Sequence, residues 1–201
     1  MKRLFDIFFS LLALIVLAIP MAVIAIIIMA TDGRPVVFRQ ERVGLGNKIF
    51  KIRKFRSMKV GTKNVATKNL ANSDDCITPI GKVLRKTSLD ELPQLINILE
   101  GTMSFVGPRP LIPQEESIRK MREEKNVYSV RPGVTGLAQV NGRDMISDQK
   151  KVELDAEYVQ NHNMIMDIKI LFKTVSVVFS GKGFAEGGDL NRNKRGKRHK
   201  K

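Results

Sequence analysis

The feature that most constrains this chain is the run "IFFSLLALIVLAIPMAVIAIIIMA" from Ile7 to Ala30, 24 residues without a charge. A run of that length can cross a bilayer. Its flanks decide how it enters: Lys2 and Arg3 precede it, and Arg34, Arg39, Arg42 and Lys48 follow it. Basic flanks at both ends place both ends on the cytoplasmic side. Pro20 lies near the middle, where its missing N–H and its ring break or kink a helix. A helix broken at Pro20 that dips into one leaflet and returns satisfies both observations, and is preferred to a full span. Its cost is that carbonyls freed at the break need partners within the hydrocarbon, which Ile19 cannot offer. A cleaved signal peptide fits less well, because the run exceeds a usual h-region and "IMATDG" is a mediocre cleavage site. Asp6, three residues after Arg3, is read as one half of a surface ion pair that anchors the membrane helix.

At 201 residues the chain holds one domain with appendages. The expected division is a membrane segment over 1–34, a cytosolic domain over 35–188 and a disordered basic tail over 189–201. With 35 Lys and Arg against 20 Asp and Glu, the net charge of +15 points to a polyanionic partner. Part of it belongs to the tail, where "RNKRGKRHKK" cannot bury anything. The single cysteine, Cys76, excludes an intrachain disulfide and a cysteine-based metal site.

Residues 36–56 predict a small β-hairpin around "GLGN", with Phe50, Ile52 and Lys54 on one face. Nothing helical follows those glycines, so they are not a phosphate loop. Residues 59–78 read as a mobile loop before a new element at Ile80. Residues 114–127, built on "QEESIRKMREEKN", predict a solvated or membrane-surface helix, whereas 129–144, with Pro132, Gly133, Gly136 and Gly142, read as loop. A helix is expected over 147–160. Another over 164–181, apolar but carrying Asp167, Lys169 and Lys173, suits the membrane interface. The fold class is therefore α+β, predominantly helical: a monotopic membrane protein with a re-entrant N-terminal helix, interfacial amphipathic helices and one hairpin.

The stretch "RKTSLDELPQLINILEGTMSFVGPRP", residues 85–110, carries the densest chemistry. Ser88 and Glu91 stand at capping-box spacing, which would make Leu89, Leu92, Leu95, Ile96 and Leu99 a buried helical face. Pro93 disturbs that reading, because it would fall past the first turn of such a helix. Either the helix starts later or it bends at Asp90 and Glu91. Arg85 precedes the two acids. Arg109 is held between Pro108 and Pro110, pre-organised either for a phosphate or for a salt bridge to one of the acids.

"SLDELPQLINILEGTMSFVGPRP", with "RPGVTGLAQVNGR" after it and "KRLFDI" plus the apolar run before it, resembles the bacterial sugar transferase family, the monotopic phosphoglycosyl transferases. The likeness runs from Lys2 to about Gly181. With no extra membrane helices or fused domain, the chain looks like the minimal form of that family. The resemblance implies transfer of a sugar phosphate from a UDP-sugar to undecaprenyl phosphate, with release of UMP, on the cytoplasmic face of a bacterial inner membrane. It implies Asp90 as the nucleophile that forms a covalent phosphosugar intermediate, and Mg²⁺ at Asp90 and Glu91. Arg85 and Arg109 match the family's phosphate-binding arginines. Arg131 and Arg143 are secondary candidates for donor phosphates, with turns stabilised by Asn141 and Gly142 as the alternative. For Glu91, metal ligand, orienting group and cap partner stay open. The family's membrane helix bends at a Ser-Pro pair; here the pair is Ile19-Pro20.

A different class of function is a non-catalytic, membrane-anchored protein whose basic surface docks on acidic lipid or nucleic acid; the dense acid, arginine and proline constellation disfavours it, and no nucleic-acid partner is expected. A polytopic transferase is disfavoured by the single apolar segment. Donor sugar and pathway have no motif in the sequence, and homo-oligomers through the membrane helices carry no signature in it.

Overall fold

The computed structural model describes residues 1–62, 73–142 and 145–180. Arg143, the segment 63–72 of the expected mobile loop, and the basic tail over 189–201 lie outside the described residues.

The apolar run forms two helices, α1 (Lys2–Val16) and α2 (Ala18–Asp32), bent by 61°. Among the described residues no single helix is long and apolar enough to cross a membrane. The break falls at Leu17 and not at Pro20, the expected position. Pro20 is the third residue of α2, where a helix needs no N–H, and it has none to give the Val16 carbonyl four residues back; the interruption therefore moves one turn upstream. Both ends of the pair are tied to the same body. At the start, Lys2 Nζ meets Asp167 and Arg3 donates to the Ile98 and Leu99 carbonyls. At the far end, Arg56 donates to the Asp32 and Gly33 carbonyls at 2.6 and 2.8 Å, and Ile28 packs with Phe55 and Leu84.

Asp6 corrects the expectation of a surface pair with Arg3. It is 2% exposed and turns inward, accepting from Ser104 Oγ at 3.0 Å and Phe105 N at 3.2 Å. A buried carboxylate demands such donors, and α1 lies along the body with Ala13, Leu14 and Leu17 against Ile52, Leu95, Ile98 and Met103.

The hairpin forms as expected: β1 (Val37–Val43) and β2 (Ile49–Phe55) pair antiparallel, with Gly46 and Asn47 at positive φ in the turn. Arg42 stands opposite Phe50, Gln40 opposite Ile52 and Phe38 opposite Lys54. Residues directly opposite share a face, so Lys54 and Arg42 point the same way. The outer edge of β2 would offer unpaired backbone groups; Asn97 covers it, accepting from Arg53 N at 3.0 Å and donating to the Lys51 carbonyl at 2.9 Å.

A short 3₁₀ turn, Ser73–Cys76, inside the stretch expected to be a loop, precedes α3 (Pro79–Thr87), which starts behind a Thr78 cap, and α4 (Gln94–Glu100) follows. Then come β3 (Ser104–Val106), α5 (Glu116–Glu124), β4 (Gly133–Thr135) and α6 (Leu137–Val140), closed by α7 (Asp148–Asn161) and α8 (Met164–Ser180). The expected loop over 129–144 thus contains a strand and a helical turn. β4 runs parallel to β3, and a Cβ on Gly107 or Gly133 would come within 2.3 or 2.1 Å of the other segment's backbone. Gly133 is read from sequence as a loop residue, yet both glycines serve the close approach of two segments. α5 is not solvated on every side, because Ile118 and Arg122 are buried. The helices expected over 147–160 and 164–181 are α7, capped by Ser147, and α8, which buries Asp167 and Ile170 and exposes Ile165, Ile168, Phe172 and Val175.

Candidate active site

Asp90 and Glu91 sit in a single 3₁₀ turn, Leu89–Glu91, wedged between α3 and α4. Ser88 closes α3 in the left-handed conformation, φ +58°, and its carbonyl accepts from Glu91 N at 3.1 Å. The expected capping box does not form. A residue ending one helix in αL is not placed to cap the next by its side chain, and the Glu91 carboxylate is drawn to Lys54 instead. Pro93 delays α4 to Gln94, which rotates the buried face: Gln94, Leu95, Asn97 and Ile98 turn inward while Leu89 is exposed. A non-glycine αL residue two positions before the first of two acids is the kind of held, unfavourable backbone that accumulates at working sites.

Glu91 binds Lys54 Nζ at 2.6 Å and lies 3.6 Å from Arg109 Nη1. The salt bridge considered for Arg109 thus goes to Glu91. Asp90 is 8% exposed; among the described residues its carboxylate accepts no hydrogen bond, although Lys54, Arg85 and Arg109 all act on it. Burial pushes the Asp90 carboxyl above the ordinary Asp value, Glu91 adds to that, and the three cations pull against it. Burial likewise lowers Lys54, opposed by Glu91. Arg42 is pushed down to about 10 by burial and then by Arg109, so it stays charged at neutral pH. Three cations, Lys54, Arg85 and Arg109, therefore act on two carboxylates, one of them tied and one not, while Arg42 stands behind Arg109 with Glu115. That excess of positive charge suits a phosphorylated ligand, and the untied carboxylate is a potential nucleophile.

The structure brings together Asp90, Glu91, Arg85 and Arg109. It does not bring Arg131 to them: Arg131 Nε donates to the Gly101 carbonyl at 2.8 Å, at the opposite end of α4. There it joins Arg3 on the last carbonyls, where cations complement the helix dipole. Lys54 and Arg42 are named in the sequence only as a hairpin-face residue and a basic flank, not as part of the site. One signal was available for Lys54, a charge on the strand face otherwise carried by Phe50 and Ile52; Arg42 becomes visible only through the register that sets it beside Phe50.

Asp90 and Glu91 are the carboxylates that a divalent cation could use. No third His, Cys, Asp or Glu joins them among the described residues. Two hard oxygen ligands without a preformed cage fit Mg²⁺ shared with substrate phosphates.

Residues 1–181 match the bacterial sugar transferase family. The chain is 41% identical over 198 residues to the UDP-galactose-lipid carrier transferase of Erwinia amylovora, covering 91% of this chain and 41% of that protein. It is 40% identical over 189 residues to the UDP-glucose:undecaprenyl-phosphate glucose-1-phosphate transferase of Escherichia coli K12, covering 90% and 41%. The chain thus spans about two-fifths of the length of these relatives. It matches the sugar transferase EpsL of Bacillus subtilis nearly end to end, at 38% identity over 92% of this chain and 91% of that one. With the matched region running from α1 through α8, the chain belongs to the bacterial sugar transferase family.

Proposed function

We propose that this protein is a phosphoglycosyl transferase that moves a sugar-1-phosphate from a UDP-sugar to undecaprenyl phosphate, by way of Asp90. The observation that carries the reading is the buried, untied Asp90 carboxylate beside a Glu91 already held by Lys54 and Arg109. Asp90 Oδ attacks the phosphorus that bears the sugar, the bond to the UMP oxygen breaks, and UMP leaves with the electron pair. A phosphate oxygen of undecaprenyl phosphate then attacks the same phosphorus and the Asp90 carboxylate departs, so that no proton transfer is needed in either step. An anion approaching a diphosphate meets repulsion, and Arg85 and Arg109 offset it. Lys54 keeps Glu91 from turning on Asp90. Asp90 and Glu91 are the residues that would hold Mg²⁺, which would supply further neutralisation of the diphosphate.

The broken helix supports monotopic membrane attachment on the cytoplasmic face. Both its ends are held by one body, whereas Leu11, Ile15, Val16, Ile19 and Val23 around the break are exposed. Two limbs of 15 residues bent by 61°, each about 22 Å long, form a symmetric wedge about 11 Å deep, less than half of a ~30 Å hydrocarbon core. The exposed apolar side chains of α8 would rest at the interface. Residues 1–34 are accordingly the membrane element and 35–188 the catalytic domain, with the basic segment 189–201 after it.

Two measurements test this. Protein incubated with a UDP-sugar and Mg²⁺ but no acceptor is expected to release UMP in a burst stoichiometric with enzyme, and to gain the mass of a sugar phosphate on the Asp90 peptide. Absence of both sinks the covalent mechanism. In a Cys76→Ser background, a cysteine inserted after Met1 and one at Arg34→Cys should both react with an impermeant thiol reagent from the cytoplasmic side only; labelling from opposite sides would establish a span.

A further inference from the structure

The turn Pro108-Arg109-Pro110 has little means of fixing itself, because two of its three residues lack an N–H. It is fixed through its acceptors. Four consecutive carbonyls are each taken by a different donor: Pro108 by Gly133 N at 3.0 Å, Arg109 by Arg122 Nη1 at 2.7 Å, Pro110 by Arg42 Nη1 at 3.0 Å, and Leu111 by Val43 N at 2.9 Å. The first and last are backbone contacts from neighbouring strands. The middle pair, on either side of the Arg109–Pro110 bond, are guanidinium groups from α5 and β1.

Both guanidinium groups are themselves anchored. Arg42 Nη2 donates to Gln40 Oε1, and Arg122 Nη2 to Asp155 Oδ2 on α7 at 2.5 Å, with the Arg122 and Asp155 side chains 3% and 1% exposed. Neither arginine contacts the Asp90 carboxylate, yet each fixes a carbonyl of the segment that presents the Arg109 guanidinium to Glu91. A guanidinium forks rigidly, so one terminal nitrogen can be tied down while the other aims at a backbone oxygen.

We infer that Arg42 and Arg122 are positioning residues, which clamp the Pro-Arg-Pro turn so that Arg109 faces Glu91 and the donor diphosphate. The inference rests on the transferase reading for its substrate, but the clamp itself is independent of turnover. Removing a clamp loosens Arg109, weakens donor binding and leaves acceptor binding alone. A mere loss of folded protein would lower kcat and leave the donor KM where it was.

The test is a double-mutant cycle of Arg42→Met with Arg109→Ala, repeated with the paired change Arg122→Met, Asp155→Leu, which avoids stranding a buried charge. Displacing a substrate-positioning group costs up to about 100-fold, so each clamp change is expected to raise the UDP-sugar KM about tenfold or more. In the Arg109→Ala background the same change should matter by less than about twofold, since the effect runs through Arg109. Equal losses in both backgrounds, or no loss with Arg109 present, overturn the inference. A second measurement needs no turnover: butanedione modification of Arg109, followed by mass spectrometry of its peptide, is expected to be several-fold faster in the clamp variants. An unchanged rate overturns the clamp even if transfer is observed, whereas a faster rate in a protein that transfers nothing would uphold the clamp and sink the transferase reading.

Discussion

Asp90→Asn is expected to lower UMP release by at least about a thousandfold and to abolish the mass adduct, because the amide cannot attack phosphorus. The same variant should melt above the wild type at neutral pH in chelator-containing buffer. Burial holds the Asp90 carboxyl above its ordinary value of 3.8, so the folded chain binds that proton more tightly than the unfolded one. The resulting contribution to stability is complete below 3.8 and is lost as pH rises through the folded value. Above that folded value the wild type carries a buried ionised carboxylate that the asparagine variant lacks, and the difference in Tm should shrink as the pH is lowered toward the ordinary Asp range. Activity runs the other way, rising with pH as the nucleophile ionises. An Asn variant with full turnover removes Asp90 from the chemistry; one that melts below wild type at neutral pH would mean that Lys54, Arg85 and Arg109 hold the anion more strongly than burial opposes it.

What was legible in the sequence was local. The apolar run, the hairpin around "GLGN" and the helices ending at Asn161 and Ser180 each follow from a pattern contained within the element. Failures occurred where a local pattern was decided by something distant. The Ser88–Glu91 spacing is that of a capping box, but Lys54, 37 residues away, claims the Glu91 carboxylate, and Ser88 is already committed to ending α3. Asp6 and Arg3 stand one helical turn apart, yet Ser104 and the carbonyls at the end of α4 take them separately. Arg131 looks like a phosphate ligand in "RPGVTG", and only the packing of β4 beside β3 carries it to the far end of α4. The acids and Arg109 could be named from their own stretch, whereas Lys54 and Arg42 required the fold. Arg122 gave no sign, because a basic residue in "RKMREEK" looks solvated until the helix is docked.

Asp155→Ala is expected to have the largest effect on stability. It leaves the Arg122 guanidinium, 3% exposed, without its counter-charge, a loss of about 3–5 kcal/mol and, for a chain of this size, roughly 6–20 °C in Tm. The pair is not thereby a strong net stabiliser. Burial raises the Asp155 carboxyl even with Arg122 beside it, so desolvation consumes much of the attraction. Replacing both groups by apolar ones, Arg122→Met with Asp155→Leu, should therefore recover most of the lost Tm in a melt followed by circular dichroism. Donor affinity should stay below wild type, because in the paired variant the Arg109 carbonyl loses Nη1 of Arg122. A paired variant that regains both would reduce Arg122 to a packing element of α5 and α7. One that regains stability alone separates the cost of a buried ion pair from its use, which is to carry a fixed donor from the interior to the turn that presents Arg109.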